Sequence, residues 1–274
     1  MIRPVLLLAG LLVACQAPIP AEELSIAFAW MYKAGDYVRG TPTVGDGVVY
    51  FGADDNAVHA VDAQTGEAIW QYDTADNVTS SPALLETAVY VGSWDGRIYA
   101  LDAAHGDLRW TYSTDGWVTA SPVVRDGVLY VGSHDGFLYA LQAEDGQRRW
   151  WLQTEGRIEG GAALDDGLVF VGSADNYLYA LDVGTGEIGW RYRTEGDILS
   201  APAVADGTVY VGSTDRRLYA LDAATGERRW SFQADGAIES SPVISGDLVY
   251  VGANDGHLYA LRAEDGRPAW VFRA

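Results

Sequence analysis

Tryptophan recurs at Trp30, Trp70, Trp110, Trp150, Trp190, Trp230 and Trp270, each forty residues after the one before. Six intervals without a slipped residue mean that one supersecondary unit is repeated along the chain. A unit that small cannot bury its own apolar surface, so each copy must pack on its neighbours. The period also aligns every residue with its equivalents, and departures from it become candidates for function.

One period reads as strands. Ser80-Ser81-Pro82-Ala83-Leu84-Leu85 leads into Val89-Tyr90-Val91-Gly92-Ser93, and the turn Trp94-Asp95-Gly96 is followed by Arg97-Ile98-Tyr99-Ala100-Leu101-Asp102. A second turn, Ala104-His105-Gly106-Asp107, precedes Leu108-Arg109-Trp110-Thr111-Tyr112. The turns hold glycine or Asp-Gly, which accept the positive φ that tight turns need. No segment has helical length or period. The middle strands are continuous apolar runs, a sign of burial on both faces. Four-stranded sheets achieve that by packing face to face around an axis, as β-propeller blades. A linear solenoid would need polar caps, yet Tyr50-Phe51-Gly52 and Tyr250-Val251-Gly252 are as apolar as the interior copies.

The expected architecture is therefore all-β: six four-stranded antiparallel blades over residues 24–274. The repeats run about 36–75, 76–115, 116–155, 156–195, 196–235 and 236–274. An extra strand over 24–34 carries Trp30 and is expected at the seam where the ring closes. No docking pattern precedes Trp30, since Ile26 stands where its glycine should be. A remnant of an eight-bladed ring is the alternative.

Three units carry Ala-x-Asp-x-x-Thr-Gly-x-x-x-Trp in full: Ala60 to Trp70, Ala180 to Trp190 and Ala220 to Trp230. Alanine, glycine and tryptophan persist in all six, while Gln142 and Arg262 replace the aspartate and His105, Asp145 and Asp265 the threonine. This resembles the tryptophan-docking motif of the quinoprotein-type, PQQ-like repeat β-propellers. The resemblance implies that Trp70, Trp110, Trp150, Trp190, Trp230 and Trp270 wedge between neighbouring blades. Catalytic members of that family carry pyrroloquinoline quinone and add long insertions and often a vicinal cysteine pair. Here the units are bare and Cys15 is the only cysteine. The chain looks like the non-catalytic, BamB-like branch: not an enzyme, and without a cofactor.

The N-terminus adds a second resemblance. Met1-Ile2-Arg3 is a short positive region, and Val5 to Val13 is apolar but too short to span a bilayer. Leu12-Val13-Ala14-Cys15 resembles the lipobox of bacterial lipoproteins. That implies a signal peptide at 1–14, lipidation of Cys15, a tether over 15–23 and, with Gln16 next, the periplasmic face of the outer membrane. Attached acyl chains anchor durably at about 0.8 kcal/mol per buried methylene. With 38 acids against 18 bases, the formal charge is −20, which repels phosphate. Nucleic acid and electrostatic docking on anionic lipid are thereby excluded, so membrane contact is expected through the anchor alone. The protein is expected to be a monomer.

No catalytic constellation emerges. His59, His105, His134 and His257 lack ligand spacing, and Asp95, Asp135 and Asp255 each offer one carboxylate, far from the six oxygens of a calcium site. No metal is expected. Variation between repeats concentrates instead at one end of the blades, where the second-to-third and fourth-to-first connections emerge together. There stand Tyr37, Arg39, Trp94, Arg97, Trp117, His134, Phe137, Arg157, Tyr177, Arg217 and His257. Aromatics and arginines are the residue types enriched at interaction hot spots. The expected function is a binding rim for an envelope protein or peptide, within outer-membrane protein assembly if the resemblance holds. Envelope polysaccharide or a small ligand is the alternative, and a quinone enzyme a third.

Overall fold

The computed structural model describes residues 29–274. The expected signal peptide, Cys15 and the tether lie outside them. Every regular element among the described residues is a strand, and the strands form six separate four-stranded sheets. Blade 1 runs Thr43–Gly45, Val48–Ala53, Ala57–Asp62 and Ala68–Asp73. Blades 2 to 6 begin at Ala83, Val123, Ala163, Ala203 and Val243. Each is an antiparallel meander paired in sequence order. The first strands of successive blades approach one another, as Thr43–Gly45 does Ala83–Leu85, which places them innermost.

Burial follows the apolar pattern. The second and third strands of blade 2 are buried almost throughout, whereas its fourth strand alternates and faces solvent on one side. The core is divided into five clusters, each joining two consecutive blades. Blade-to-blade contact, not a single centre, is what holds this chain together.

The docking motif has a local explanation. In blade 1, Asp62 Oδ1 accepts hydrogen bonds from the amides of Gln64 and Thr65, and Thr65 Oγ1 accepts one from Glu67. Where aspartate replaces the threonine, Asp145 Oδ1 takes over by accepting from the Gln147 amide. This turn presents a carbonyl and a bare glycine to the indole of the preceding blade. Trp150 Nε1 donates to the Val183 carbonyl at 3.0 Å, and a Cβ on Gly186 would lie 2.6 Å from the Trp150 ring. Gly186 also has φ +74°, so both space and backbone demand glycine. Trp70, Trp110, Trp190 and Trp230 donate in the same way to Ala103, Ala143, Ala223 and Ala263.

Trp270 departs from this expectation. It is 38% exposed, and its only ring contact among the described residues is with Tyr250 of its own blade. A second contact is missing at the same junction. A Cβ on Gly212 would meet Ile238 at 2.3 Å, but one on Gly252 would meet nothing nearer than 3.5 Å. The residue that would fill that space by register, Val38, is 46% exposed, whereas Val78, Val118, Ile158, Ile198 and Ile238 are fully buried. Blade 6 does not dock on blade 1 as the other five pairs dock.

The strand expected over 24–34 is corrected over its described part. Residues 24–28 lie outside the described residues, and 29–34 carry no strand. A fourth strand owes its ladder to the third strand of its own blade, and no such strand precedes this segment among the described residues. Instead Tyr32 packs on blade 1, edge-on to Phe51 at 5.7 Å, and its hydroxyl hydrogen-bonds His59 Nδ1 at 3.1 Å. Tyr32 thus fills the place on blade 1 that Phe272, 58% exposed, would take by register.

Candidate functional site

The rim is assembled by hydrogen bonds that recur at every blade. The segment entering the first strand is tied to the second-to-third turn, as in Trp94 amide to Asn77 carbonyl at 2.9 Å and His134 amide to Trp117 carbonyl at 2.8 Å. The recurring aspartate completes the turn. Asp95 Oδ1 accepts from the Arg97 amide, and Oδ2 accepts from the Ala75 amide and the Tyr99 hydroxyl. Burial and the bond to Asp95 push the Tyr99 phenol up to about 12, so it stays a donor at neutral pH. These carboxylates are occupied by the turn itself. Among the described residues no three His, Cys, Asp or Glu side chains group as metal ligands.

On this frame the variable side chains form one continuous arc over blades 2 to 4. Trp94 Nε1 donates to Thr79 Oγ1 at 2.9 Å, fixing the ring. Trp94 and Trp117 stack with centroids 4.8 Å apart and planes 12° from parallel. Trp117 then meets the His134 ring at 5.6 Å, and His134 Nε2 shares a hydrogen bond with Thr119 Oγ1 at 2.9 Å. His134 Nε2 lies 3.9 Å from Glu159 Oε1, and Glu159 is ion-paired with Arg157. Burial draws the His134 pKa down despite Glu159, so the ring is neutral at neutral pH. Trp117 remains 49% exposed at the centre of this arc.

The remaining candidates lie apart from the arc. Arg39 pairs with Asp54 at 2.6 Å and lies 5.3 Å from the Tyr37 ring, forming a separate spot on blade 1. Arg97, Phe137, Tyr177, Arg217 and His257 open the third strands and pair with the ends of the outer strands, as Phe137 does with Gln153. Tyr177 lies under Arg191 of the outer strand at 4.8 Å and Arg217 bonds Gln233 of the outer strand, whereas His257 bonds Asp255 of its own turn. Two positions that look equivalent along the chain are thus divided between the inner mouth and the outer wall.

One aromatic escapes sequence reasoning. Trp151 is 48% exposed on the outer strand of blade 3, with Phe137 at 5.6 Å and the Arg148 guanidinium 3.5 Å over its ring. Its signal was available, a tryptophan beside the ladder residue Trp150, but the ladder itself hides it.

Comparison with known proteins agrees with this architecture. The structure is similar to that of BamB from Moraxella catarrhalis, with a TM-score of 0.81 and 24% identity over 90% of this chain and 80% of that one. It is also similar to the computationally designed Ika8 protein, with a TM-score of 0.58 and 17% identity over 86% and 87% of the two chains. No curated protein sequence matches the chain. The sequence profile described as outer membrane protein assembly factor BamB matches residues 27–87, 54–159 and 151–274, nearly the whole length, and the chain belongs to that family.

Proposed function

We propose that this protein is a non-catalytic scaffold of the bacterial envelope that binds another protein through the Trp94–Trp117–His134 arc. Membership of the BamB family supports a place in outer-membrane protein assembly. Lipidation at Cys15 holds the blades at the periplasmic face of the outer membrane. The observation that carries the binding reading is the stacked indole pair, of which Trp117 is left half in water. Large exposed aromatics are costly to hydrate and are rigid, so they bind at low entropic cost. Trp94 is held by its hydrogen bond to Thr79 while Trp117, stacked on it, stays 49% exposed, so the pair offers a rigid aromatic surface.

The test is photo-crosslinking in the intact envelope from a probe residue placed at Asn77, beside the arc. Wild type is expected to trap a discrete protein adduct that Trp94→Ala with Trp117→Ala loses. An unchanged adduct in that variant would refute the binding face. Cys15→Ala is expected to move the protein from the membrane to the soluble envelope fraction, and its retention would refute the anchor.

A further inference from the structure

We infer that the cleft between Trp94 and Asp115 receives a cationic side chain, arginine or lysine, of the partner polypeptide. The inference rests on the reading of the arc as a protein-binding face and goes further by naming the chemistry it selects. The cleft has a volume of about 270 Å³ and is lined by Trp94, Asp95, Gly96, Thr114, Asp115, Gly116 and Trp117.

Its two carboxylates differ. Asp95 is consumed by three hydrogen bonds of the turn. The Asp115 amide donates to Asp135, but its side chain makes no hydrogen bond or ion pair with any described residue. An unpaired carboxylate beside a half-exposed indole is an environment that attracts a guanidinium or ammonium group. The acidic surface, at a formal charge of −20, draws such groups toward it.

The neighbouring positions show what this rim does elsewhere. On blade 1, Arg39 of the chain itself lies against Tyr37 and Asp54. Between blades 3 and 4, the place of Trp117 is taken by Arg157, already paired with Glu159. The junction of blades 2 and 3 alone offers paired tryptophans, and with them a free carboxylate but no lining cation. Arg97, the next basic residue along the turn, pairs with Ser113 of the outer strand and does not line the cleft.

The experiment uses the full chain in detergent and a capped peptide, acetyl-Gly-Ser-Gly-Arg-Gly-Ser-amide, with its citrulline analogue as the neutral isostere. Binding is followed by tryptophan fluorescence at low salt. The arginine peptide is expected to bind more tightly than the citrulline one. Asp115→Asn and Trp117→Ala should each weaken it by about two- to fivefold, the scale of an exposed ion pair or cation–π contact. Glu144→Gln removes the same charge from the opposite end of the blades and should leave binding unchanged. Equal binding of the two peptides, or equal weakening by Asp115→Asn and Glu144→Gln, overturns the inference. The envelope crosslink separates this from the wider reading. Loss of the adduct in the double tryptophan variant with full retention in Asp115→Asn keeps the binding face and discards the cation.

Discussion

Replacing Trp150 and Trp270 by alanine removes the same side chain from the same register position, so the two costs measure docking alone. Trp150 is 9% exposed, packs against Tyr130 at 5.7 Å and donates to Val183 across the junction of blades 3 and 4. The Val183 carbonyl keeps a second donor, the Tyr130 hydroxyl at 3.3 Å, so losing the indole does not orphan it. The cost is then mainly lost burial plus the cavity, about 3–5 kcal/mol for a tryptophan cut back in a packed interior. For a chain of this size that lowers Tm on the order of 10 °C. Trp270 is 38% exposed and has no carbonyl partner among the described residues, so its removal should cost about 1 kcal/mol or less. Urea denaturation followed by circular dichroism, with Tm by calorimetry, measures both. Trp150→Ala should also broaden or split the transition, because it uncouples two halves of a nearest-neighbour array. Equal losses in the two variants would refute the reasoning, since they would mean that blade 6 is docked in solution as the others are.

The glycine at the same junctions gives an independent measure: Gly212→Ala should cost about 1–3 kcal/mol by driving a methyl into Ile238, while Gly252→Ala should be near neutral, both read from denaturation midpoints. His134 gives a pH signature. Its folded pKa lies below the ordinary 6.5, so its contribution to stability is present above pH 6.5 and is lost as pH falls through the folded value. Protonation beside Trp117 should quench indole fluorescence with a midpoint under 6.5, and His134→Asn should abolish that phase. A midpoint above 6.5 would contradict the burial assigned to the ring.

Much of the candidate site was legible because it depends on register. The pairing of Trp117 with the turn that holds His134 follows from the meander, which brings the two connections to one end of every blade. The division of the eleven candidates was not legible. Phe137 and His134 are three residues apart in one turn, yet one faces the outer strand and the other the mouth. That choice is set by which neighbour each side chain finds, Trp151 for Phe137 and Trp117 for His134.

The sequence by itself determined the repeat, the four strands within it, the six blades and the turn chemistry, because each depends only on neighbours within about forty residues. It also determined that alanine, glycine and tryptophan act together, through a contact that always spans the same thirty-three residues from indole to carbonyl. Only the tertiary structure decided which members of the ladder are docked. Trp230 and Trp270 are equivalent in sequence, but docking needs the turn of a following blade, and burial is a property of the pair. The stacking of Trp94 on Trp117 is of the same kind. It arises across two blades, from two residues that no local pattern links.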